Sequence, residues 1–541
     1  MPPDDARGSA TGTNPTLVIG RARRRFLGLT LDNVIQGFFG GNALAAIIVL
    51  GLIVIFLFRE GGEFFGQNQH NLEVYRKAGL EYVDYMRRQE GGHAVLNRQL
   101  LEIRREAFAS FISGKAGQGT LSPEAANARL AEFDHFSEKF SDAVMPLRTH
   151  VSELGELAVE TKTRFAVSED RKTQRAQLLA VGKGGEAAKV LIEEVDYRAA
   201  LAPILAMWGD YQRINRELAR QLETLVVEMP LAPIPSLVSQ MAEFKRGVQG
   251  YVATFPDVER ELQAWNHSAP IGWHESFTSF IFGYEWLTAS FWQDWYGILP
   301  LLAGSVLVSL IALFISVPFA IAAAVYVNQI ARRSEQRLIK PAIEFISAIP
   351  SVVLGFFGIV VLGHYVRSLS QEPWLSWVPG FPVIERLNAL TAGCLLALIS
   401  IPAIFTLAED ALNNVPSALR EASFALGASR IQTMLRVIMP AAVSGIISAI
   451  LLGFGRVIGE TMVVLLCAGN RIAIPDFMSG PSVVTQPVHT MTGIIAQEMG
   501  EVSPGSIHYR ALFIVGVVLF FLSLFINYVA QRIVLKYRRA L

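Results

Sequence analysis

Arg456 and Glu460 lie inside a long apolar run of the sequence, residues 441–469, where a charge needs a specific reason. An ion at bilayer depth costs a few kcal/mol, so it requires a partner or a water-filled cavity. The planar guanidinium of Arg456 matches the oxygens of an oxyanion such as phosphate better than an ammonium does. Glu460 would then orient Arg456 and compete for it when the anion leaves. Alternatively, the two residues are four apart, share a helix face and neutralise each other as a structural pair.

Three small residues next to this pair carry further predictions. Thr461 either donates to an oxyanion or bonds to the carbonyl oxygen four residues before it, and we favour the second. Gly455 and Gly459 form a G-x-x-x-G step, which lets a neighbouring helix approach closely. That helix belongs either to a partner chain or to the same bundle, and the sequence leaves both open.

A second segment with functional potential is amphipathic and lies between two apolar runs, at residues 409–440. Ser417 follows Pro416 and is a suitable N-cap for a short helix, and Gly427 allows a bend after it. Pro440 is expected to end a second helix where the next apolar run begins. That helix would have one apolar face and one polar face: Ile431, Met434, Leu435 and Ile438 against Arg430, Gln432, Thr433 and Arg436. From amphipathicity alone, the segment is a helix that rests on lipid headgroups.

The composition identifies the environment in which these segments work. Of the 541 residues, 52% are hydrophobic and only 17% are charged, against about 25% charged in typical soluble domains. The net charge is zero, which argues against a nucleic-acid partner. The glycine-rich stretches at 114–120 and 182–189 lack P-loop spacing, so we expect no ATP hydrolysis by this chain. We predict surface histidines without metal-ligand spacing, and therefore no metal site, at His364, His489 and His508.

The N-terminal half is organised as a tail, one membrane span and a large insert. Residues 42–58 form an apolar run at the short end for a spanning helix. The end of the tail before it, residues 1–41, carries a cluster of four arginines, which predicts a cytoplasmic N-terminus: Arg21, Arg23, Arg24 and Arg25. Residues 59–295 would then lie outside the cytoplasm. Apolar residues recur there at intervals of three and four residues, so we expect a bundle of long helices.

The remaining residues, 296–541, contain five more apolar runs. We predict spans at 296–327, 342–363, 387–408, 441–469 and 511–530. Basic residues follow the second and the last spans, which places these ends and the C-terminus in the cytoplasm: Arg332, Arg333, Arg337, Lys340, Arg532, Lys536, Arg538 and Arg539. The sequence therefore predicts a six-span membrane protein with both termini inside.

The segment 409–440 resembles the EAA loop of ABC-importer permeases. The resemblance is carried by Glu421, Ala422 and Ser423, a glycine six residues after the glutamate (Gly427), and then Val437, Met439 and Pro440. Ser423 replaces the family's usual alanine, and Val437 and Met439 replace its usual isoleucine and leucine. In this family the loop is a coupling helix that sits in a groove of the ATP-binding subunit, and the resemblance implies the same role here.

Other segments are similar to the permeases of the phosphate-specific Pst importer, and they fit its C-type subunit best. They are 343–358, 407–416, 455–470 and 489–501, within residues 295–541. The resemblance implies an all-α fold with a type I, MetI-like permease core, a bacterial inner-membrane location, and phosphate passage near Arg456 and Glu460. It also implies an A-type partner permease, a periplasmic phosphate-binding protein and two ATP-binding subunits that hold ATP and Mg. No cofactor is expected in this chain.

Two alternatives stay open at this point. The same permease could move another oxyanion, sulfate or molybdate, because nothing in the spacing of the residues distinguishes the anions. A membrane sensor also combines a span, an external helical bundle and a second span. Only a short basic segment and four more spans follow the second span, which disfavours the sensor.

Overall fold

The computed structural model describes residues 25–26, 29–113, 120–375, 377–378 and 380–538. Most of the predicted tail, with Arg21, Arg23 and Arg24, lies outside the described residues, as does Arg539. The chain forms two units, which meet between Arg59 and Glu60. The first unit contains a short antiparallel ribbon, β1 (Arg25–Phe26) and β2 (Leu29–Thr30), and the beginning of α1 (Leu31–Lys77).

Helix α1 has 47 residues and is much longer than the predicted span 42–58. It contains no proline, so the helix continues without a break from the apolar run into the insert. The apolar side chains of the run are exposed, for example Ile47 and Leu50, as expected for a helix in contact with lipid. The helical backbone of α1 ends just before Gly79, whose φ of +83° is a conformation that glycine adopts at no steric cost.

The insert is helical, with one short ribbon before the second span. Its helices are α2 (Leu80–Ile112), α3 (Pro123–Asp142), α4 (Met145–Ala180), α5 (Gly184–Ala187), α6 (Tyr197–Ala206), α7 (Trp208–Val227), α8 (Val238–Ala253), α9 (Phe255–Ala264) and α10 (Trp273–Ile281). The ribbon pairs β3 (Trp286–Leu287) with β4 (Trp295–Tyr296). Proline stands in the first turn of α3, α4 and α9, where its missing N–H costs nothing. The core of the insert is built from large side chains, among them Phe111, Phe140, Tyr211 and Phe244.

The membrane core follows as helices of uneven length. They are α11 (Leu299–Val325), α12 (Arg333–Ala348), α13 (Ser351–Phe357), α14 (Gly363–Ser370), α15 (Ala389–Asn413), α16 (Ser417–Ala425), α17 (Arg430–Thr433), α18 (Met439–Ile458), α19 (Met462–Cys467), α20 (Met491–Glu498) and α21 (Ile507–Arg538). Three π-helical turns, at 326–330, 358–362 and 434–438, continue α11, join α13 to α14 and join α17 to α18.

Small residues bring the membrane helices together. Helices α11 and α15 pack through Ala312, Ala389 and Ala392, which are all fully buried. A Cβ atom on Gly393 would lie 2.5 Å from Cγ2 of Ile311, so only glycine fits at this crossing. Close approach through small side chains is the usual way to pack helices in lipid, where the hydrophobic effect does not drive their association.

The described part of the chain contains six helices that are long and apolar enough to cross a membrane, which confirms the predicted number. Their limits are 35–77, 299–330, 351–370, 389–413, 430–458 and 507–533. The third span was predicted at 342–363, but Pro350 separates α12 from α13 and the span begins at Ser351. Helix α12 is therefore a distinct element, and none of its residues is buried.

Candidate functional site

The fifth span is interrupted next to the two charged residues. Helix α18 ends at Ile458, residues 459–461 are not helical, and α19 begins at Met462. The prediction of one continuous span over 441–469 was therefore wrong. An interruption at membrane depth is tolerated where the freed backbone groups are satisfied by protein or face a cavity. Discontinuous membrane helices of this kind form the substrate sites of many transporters.

Arg456 and Glu460 do not form the intrahelical pair that was the alternative interpretation of the sequence. Because α18 ends between them, they do not share a helix face, and the described residues contain no ion pair of either side chain. Arg456 is exposed on the last turn of α18, and Glu460 is half-buried in the break. The guanidinium of Arg456 and the carboxylate of Glu460 are thus both available to bind another polar or charged group.

A neighbouring element satisfies the backbone of the break. The hydroxyl of Thr492, in the first turn of α20, donates to the carbonyl oxygen of Glu460 at 2.8 Å. Thr461 occupies the N-cap position of α19, and its hydroxyl lies 3.4 Å from the carbonyl oxygen of Gly459. The predicted bond of Thr461 to the carbonyl four residues earlier was wrong, because the helix has already ended there.

Hydroxyl groups from α11 and α20 surround a narrow void beside the break, which is too small to hold a water molecule. Met491 N–H donates to the hydroxyl of Ser305 at 2.9 Å, which fixes the start of α20 against α11. The polar residues that line the void are Ser305, Ser309, Glu460, Thr490 and Thr492. Sequence reasoning missed the serines and threonines. The run Thr490-Met-Thr-Gly493 was the available signal, since Thr490 caps α20 by accepting from Gly493 N–H at 3.1 Å.

The two glycines of the G-x-x-x-G step make no close helix contact within the described chain. A Cβ on Gly455 would meet nothing within 4 Å, and one on Gly459 would meet only carbonyl oxygens of α18. By contrast, Gly445 and Gly453 lie against α15, where a Cβ would approach Ala411 and Ile404 to 2.4 and 2.6 Å. Packing inside this bundle therefore uses Gly445 and Gly453. The surface at Gly455 and Gly459 is open, and its contact with a partner helix stays a prediction.

The segment 409–440 has the expected helix–bend–helix form, and Gly427 makes the bend with a φ of +80°. Glu421 and Ala422 are exposed on α16, Val437 and Met439 are half-buried, and Pro440 is exposed. The large apolar side chains exposed on this segment are Leu419, Phe424, Leu426, Ile431 and Leu435. An exposed apolar set of this size is typical of a docking surface.

Three details of this segment differ from the prediction. The N-cap residue of α16 is Pro416, and Ser417 is already helical, without a capping bond. Thr433 is buried and shares a hydrogen bond of 2.9 Å with Ser423, because the packing of α16 against α17 needs a polar partner there. Pro440 does not end the helix. Met439 N–H donates to the oxygen of Met434, five residues back, and this widened turn precedes the proline, which has no N–H.

A family model described as "Binding-protein-dependent transport system inner membrane component" matches residues 316–539. The probable ABC transporter permease protein YqgH of Bacillus subtilis (strain 168) is 32% identical over 258 residues, 46% of this chain and 78% of that protein. The phosphate transport system permease protein PstC of Xylella fastidiosa (strain 9a5c) is 30% identical over 270 residues, 48% of this chain and 80% of that protein. The chain belongs to the binding-protein-dependent transport permeases, of the PstC type.

The family match covers the membrane core of the permease rather than its insert. PstC of Pasteurella multocida (strain Pm70) is 28% identical over 286 residues, 51% of this chain and 86% of that protein. A solved structure titled as an inward-facing MetNI methionine ABC transporter covers 44% of the chain at 21% identity and a TM-score of 0.32. The family match begins at residue 316, after the insert has ended.

Two histidines of the permease are not at the surface, contrary to the prediction. His489 is 1% exposed; its Nδ1 accepts from Thr490 N–H at 2.9 Å, so Nε2 carries the proton toward Gln497 Oε1 at 3.1 Å. His508 is half-buried and lies 2.7 Å from Glu498. His364 is exposed as predicted. Within the described residues no group of three or more His, Cys, Asp or Glu has the geometry to hold a metal ion.

A further charged contact of the permease was not predicted. Lys340 of α12 forms an ion pair with Glu409, which lies near the end of α15 and is the first residue of the segment 409–440. The Glu409 side chain is only 10% exposed, so the pair links α12 to the start of the segment 409–440 in a partly dry environment. Sequence reasoning placed Lys340 on the cytoplasmic side but did not identify its partner.

Proposed function

We propose that this permease is the C-type membrane subunit of an ATP-driven phosphate importer, with Arg456 and Glu460 in the anion path. The observation that carries the proposal is the interrupted fifth span, which leaves both charges without a partner in the described chain. Charges at this depth are rare and usually mark a substrate path. The proposal is also supported by the relatives, several of which are phosphate transport permeases.

The chemistry of the two side chains favours phosphate over sulfate. Arg456 supplies a fork of donors that any tetrahedral oxyanion accepts. Glu460, as a carboxylate, only accepts hydrogen bonds. Phosphate near neutral pH carries at least one proton that it donates to such a carboxylate, whereas sulfate is fully ionised and is repelled. Sulfate or molybdate transport is the second candidate, and it requires that Glu460 take no part in selection.

Transport would proceed by alternating access. The exposed apolar residues of 409–440 would dock in the ATP-binding subunits, of which two copies are expected, and these subunits hold ATP and Mg. An A-type permease would lie against the open surface at Gly455 and Gly459. A periplasmic phosphate-binding protein would deliver the anion from outside. In this scheme both termini are cytoplasmic, and the permease itself carries no catalytic residue.

The test is phosphate uptake by proteoliposomes that contain the assembled transporter with Arg456→Ala, Glu460→Gln or the charge-swapped double variant. Loss of a charge-assisted bond predicts that Arg456→Ala lowers uptake about 10- to 100-fold. Arg471→Ala, an exposed arginine in a loop, is the matched control and should transport normally. Full uptake by Arg456→Ala would refute the proposed path. Rescue by the swap would show that the two residues act as a structural pair.

A competition experiment separates the two candidate functions. Excess sulfate should leave phosphate uptake by the unmodified transporter unchanged. Glu460→Gln replaces the carboxylate with an amide that also donates, so sulfate should now compete with phosphate. If sulfate already competes strongly before the substitution, the permease serves oxyanions more generally.

A further inference from the structure

The second half of α4 leaves the insert as an exposed arm. The residues of α4 that pack in the insert core end at Ser168. Beyond it, the helix continues to Ala180 with no buried residue, over about 18 Å at 1.5 Å per residue. The chain then returns alongside: Arg171 donates to the carbonyl oxygen of Leu191 at 3.1 Å, and Arg164 pairs with Glu193 at 2.8 Å. We call residues 169–192 the arm.

The arm begins at the membrane boundary. The ring of Phe165 lies 5.7 Å from that of His70 on α1. Phe165 also lines a groove together with Gly66 and Ile507, and Ile507 is the first residue of the last membrane helix. The base of the arm is therefore at the level where the membrane helices end.

Helix α4 approaches the membrane as its residue numbers increase. Near its start, Arg148 pairs with Glu90 of α2, which lies beyond the end of α1. Seventeen residues later, Phe165 contacts His70 in the membrane-proximal part of α1. The arm continues from this point. Because it carries several charges, it cannot enter the hydrocarbon and must stay at the level of the headgroups.

The charges of the arm are not evenly distributed. Between residues 171 and 185 there are four basic residues and no acidic one: Arg171, Lys172, Arg175 and Lys183. Lys172 and Lys183 form exposed ion pairs with Glu169 and Glu186, which flank this stretch, and such surface pairs are weak enough to be exchanged for lipid phosphates. Leu179 and Val181, between these charges, are 56% and 74% exposed. A basic segment with exposed apolar residues at its centre is typical of an element that lies on an anionic lipid surface.

We propose that the tip of the arm, residues 171–185, binds the headgroups of anionic phospholipids on the extracytoplasmic face of the membrane that holds the permease. The four basic side chains contact lipid phosphates, while Leu179 and Val181 reach the boundary of the acyl chains. This contact anchors the insert to the bilayer beside the permease core, and it does not depend on which anion the permease transports.

The experiment measures amide hydrogen exchange of residues 171–185 in the full-length permease. The protein is reconstituted in nanodiscs of phosphatidylcholine alone and in nanodiscs that also contain phosphatidylglycerol. The anionic lipid should slow exchange at the tip by about tenfold or more, and high salt should reverse this protection. Equal exchange in the two lipids would overturn the proposal.

Matched variants separate lipid binding from a folding defect. Replacing all four basic residues, as Arg171→Gln, Lys172→Gln, Arg175→Gln and Lys183→Gln, should abolish the protection while exchange in the core of α2 stays unchanged. The control removes four exposed arginines elsewhere in the insert, as Arg213→Gln, Arg216→Gln, Arg220→Gln and Arg260→Gln, and should keep the protection. Protection that appears only when the partner subunits are added, in either lipid, would assign the tip to a protein contact and overturn the proposal.

Discussion

The insert and the membrane core are both helical, yet they are held together in different ways. The insert buries large aromatic side chains, and Phe140 lies between Phe136, Phe244 and the ring of His93. The membrane core brings its helices together through glycine and alanine, as at Gly393 and Gly453, and leaves large apolar residues such as Phe314 exposed. Water drives apolar area into the interior of the insert, whereas lipid offers no such drive to the core. One chain therefore follows two packing rules on the two sides of a membrane boundary.

The largest expected effect comes from truncating the aromatic core of the insert. Phe140→Ala removes a fully buried ring and should lower the free energy of unfolding of the insert by about 3–5 kcal/mol. The measurement is hydrogen exchange of α2, α3 and α8 in the full-length permease. Leu231→Ala, at a position 93% exposed, is the control and should change little. A small effect of Phe140→Ala would mean that the insert does not depend on a water-driven core.

The opposite change tests the membrane core. Gly453→Leu forces a side chain into Ile404 of α15 and should cost up to about 3 kcal/mol through overpacking. Gly455→Leu lies two residues away on the same helix, where a Cβ meets nothing, and should leave the fold of this chain intact. Thermal stability of the purified permease in detergent distinguishes the two. Equal losses would contradict the assignment of Gly453 to packing inside this chain.

The ion pair between α12 and α15 should have an intermediate effect. Lys340→Met leaves the carboxylate of Glu409 without its partner in a partly dry site, at a cost of about 2 kcal/mol. The double variant Lys340→Met, Glu409→Gln should recover most of this stability, because no charge is then left unpaired. Thermal stability of the purified permease measures the loss, and substrate-stimulated ATPase activity of the assembled transporter tests the proposed role of the segment 409–440. If the single and the double variants behave alike, the charge at Glu409 is satisfied by another group.

Per pH unit, the smallest effect is the response of the insert to acid. Burial lowers the pKa of His93 to about 4, so the folded insert holds this histidine neutral between pH 6.5 and 4 while the unfolded chain binds a proton. The insert should therefore lose up to about 1.4 kcal/mol per pH unit as the pH falls through this window. His93→Leu should make the loss shallower. His150, whose pKa is also lowered by burial, accounts for part of the remainder. An unchanged slope in His93→Leu would contradict this prediction.

The number of spans and the helical insert could be predicted because each rests on one strong local signal. Apolar runs of about 20 residues identify spans whatever the tertiary structure, and a three- and four-residue periodicity identifies amphipathic helices. The bend at Gly427 could be predicted for a similar reason, since a glycine between two helical patterns tolerates a positive φ.

The details around the charged residues could not be predicted, because they depend on contacts between distant segments. The break at 459–461 is stabilised by Thr492, more than thirty residues later. Thr433 was assigned to the polar face, but its bond to Ser423 makes it an interior residue. Proline usually ends a helix, yet at Pro440 the widened turn at 434–438 removes the conflict with the missing N–H.

The continuity of the helix through Pro440 has a mechanical consequence. Residues 430–458 form one rod of 29 residues, about 43 Å long, with Arg430 of the segment 409–440 at one end and Arg456 at the other. A displacement of Arg430 is therefore carried to Arg456 by rigid-body movement. The first joint along the chain is the break at 459–461, so rotation of the rod changes the separation of Arg456 from Glu460, which lies within that joint. Arg456 lies on the rod and Glu460 lies in the joint, so the angle of the rod at this joint sets the distance between the two charges.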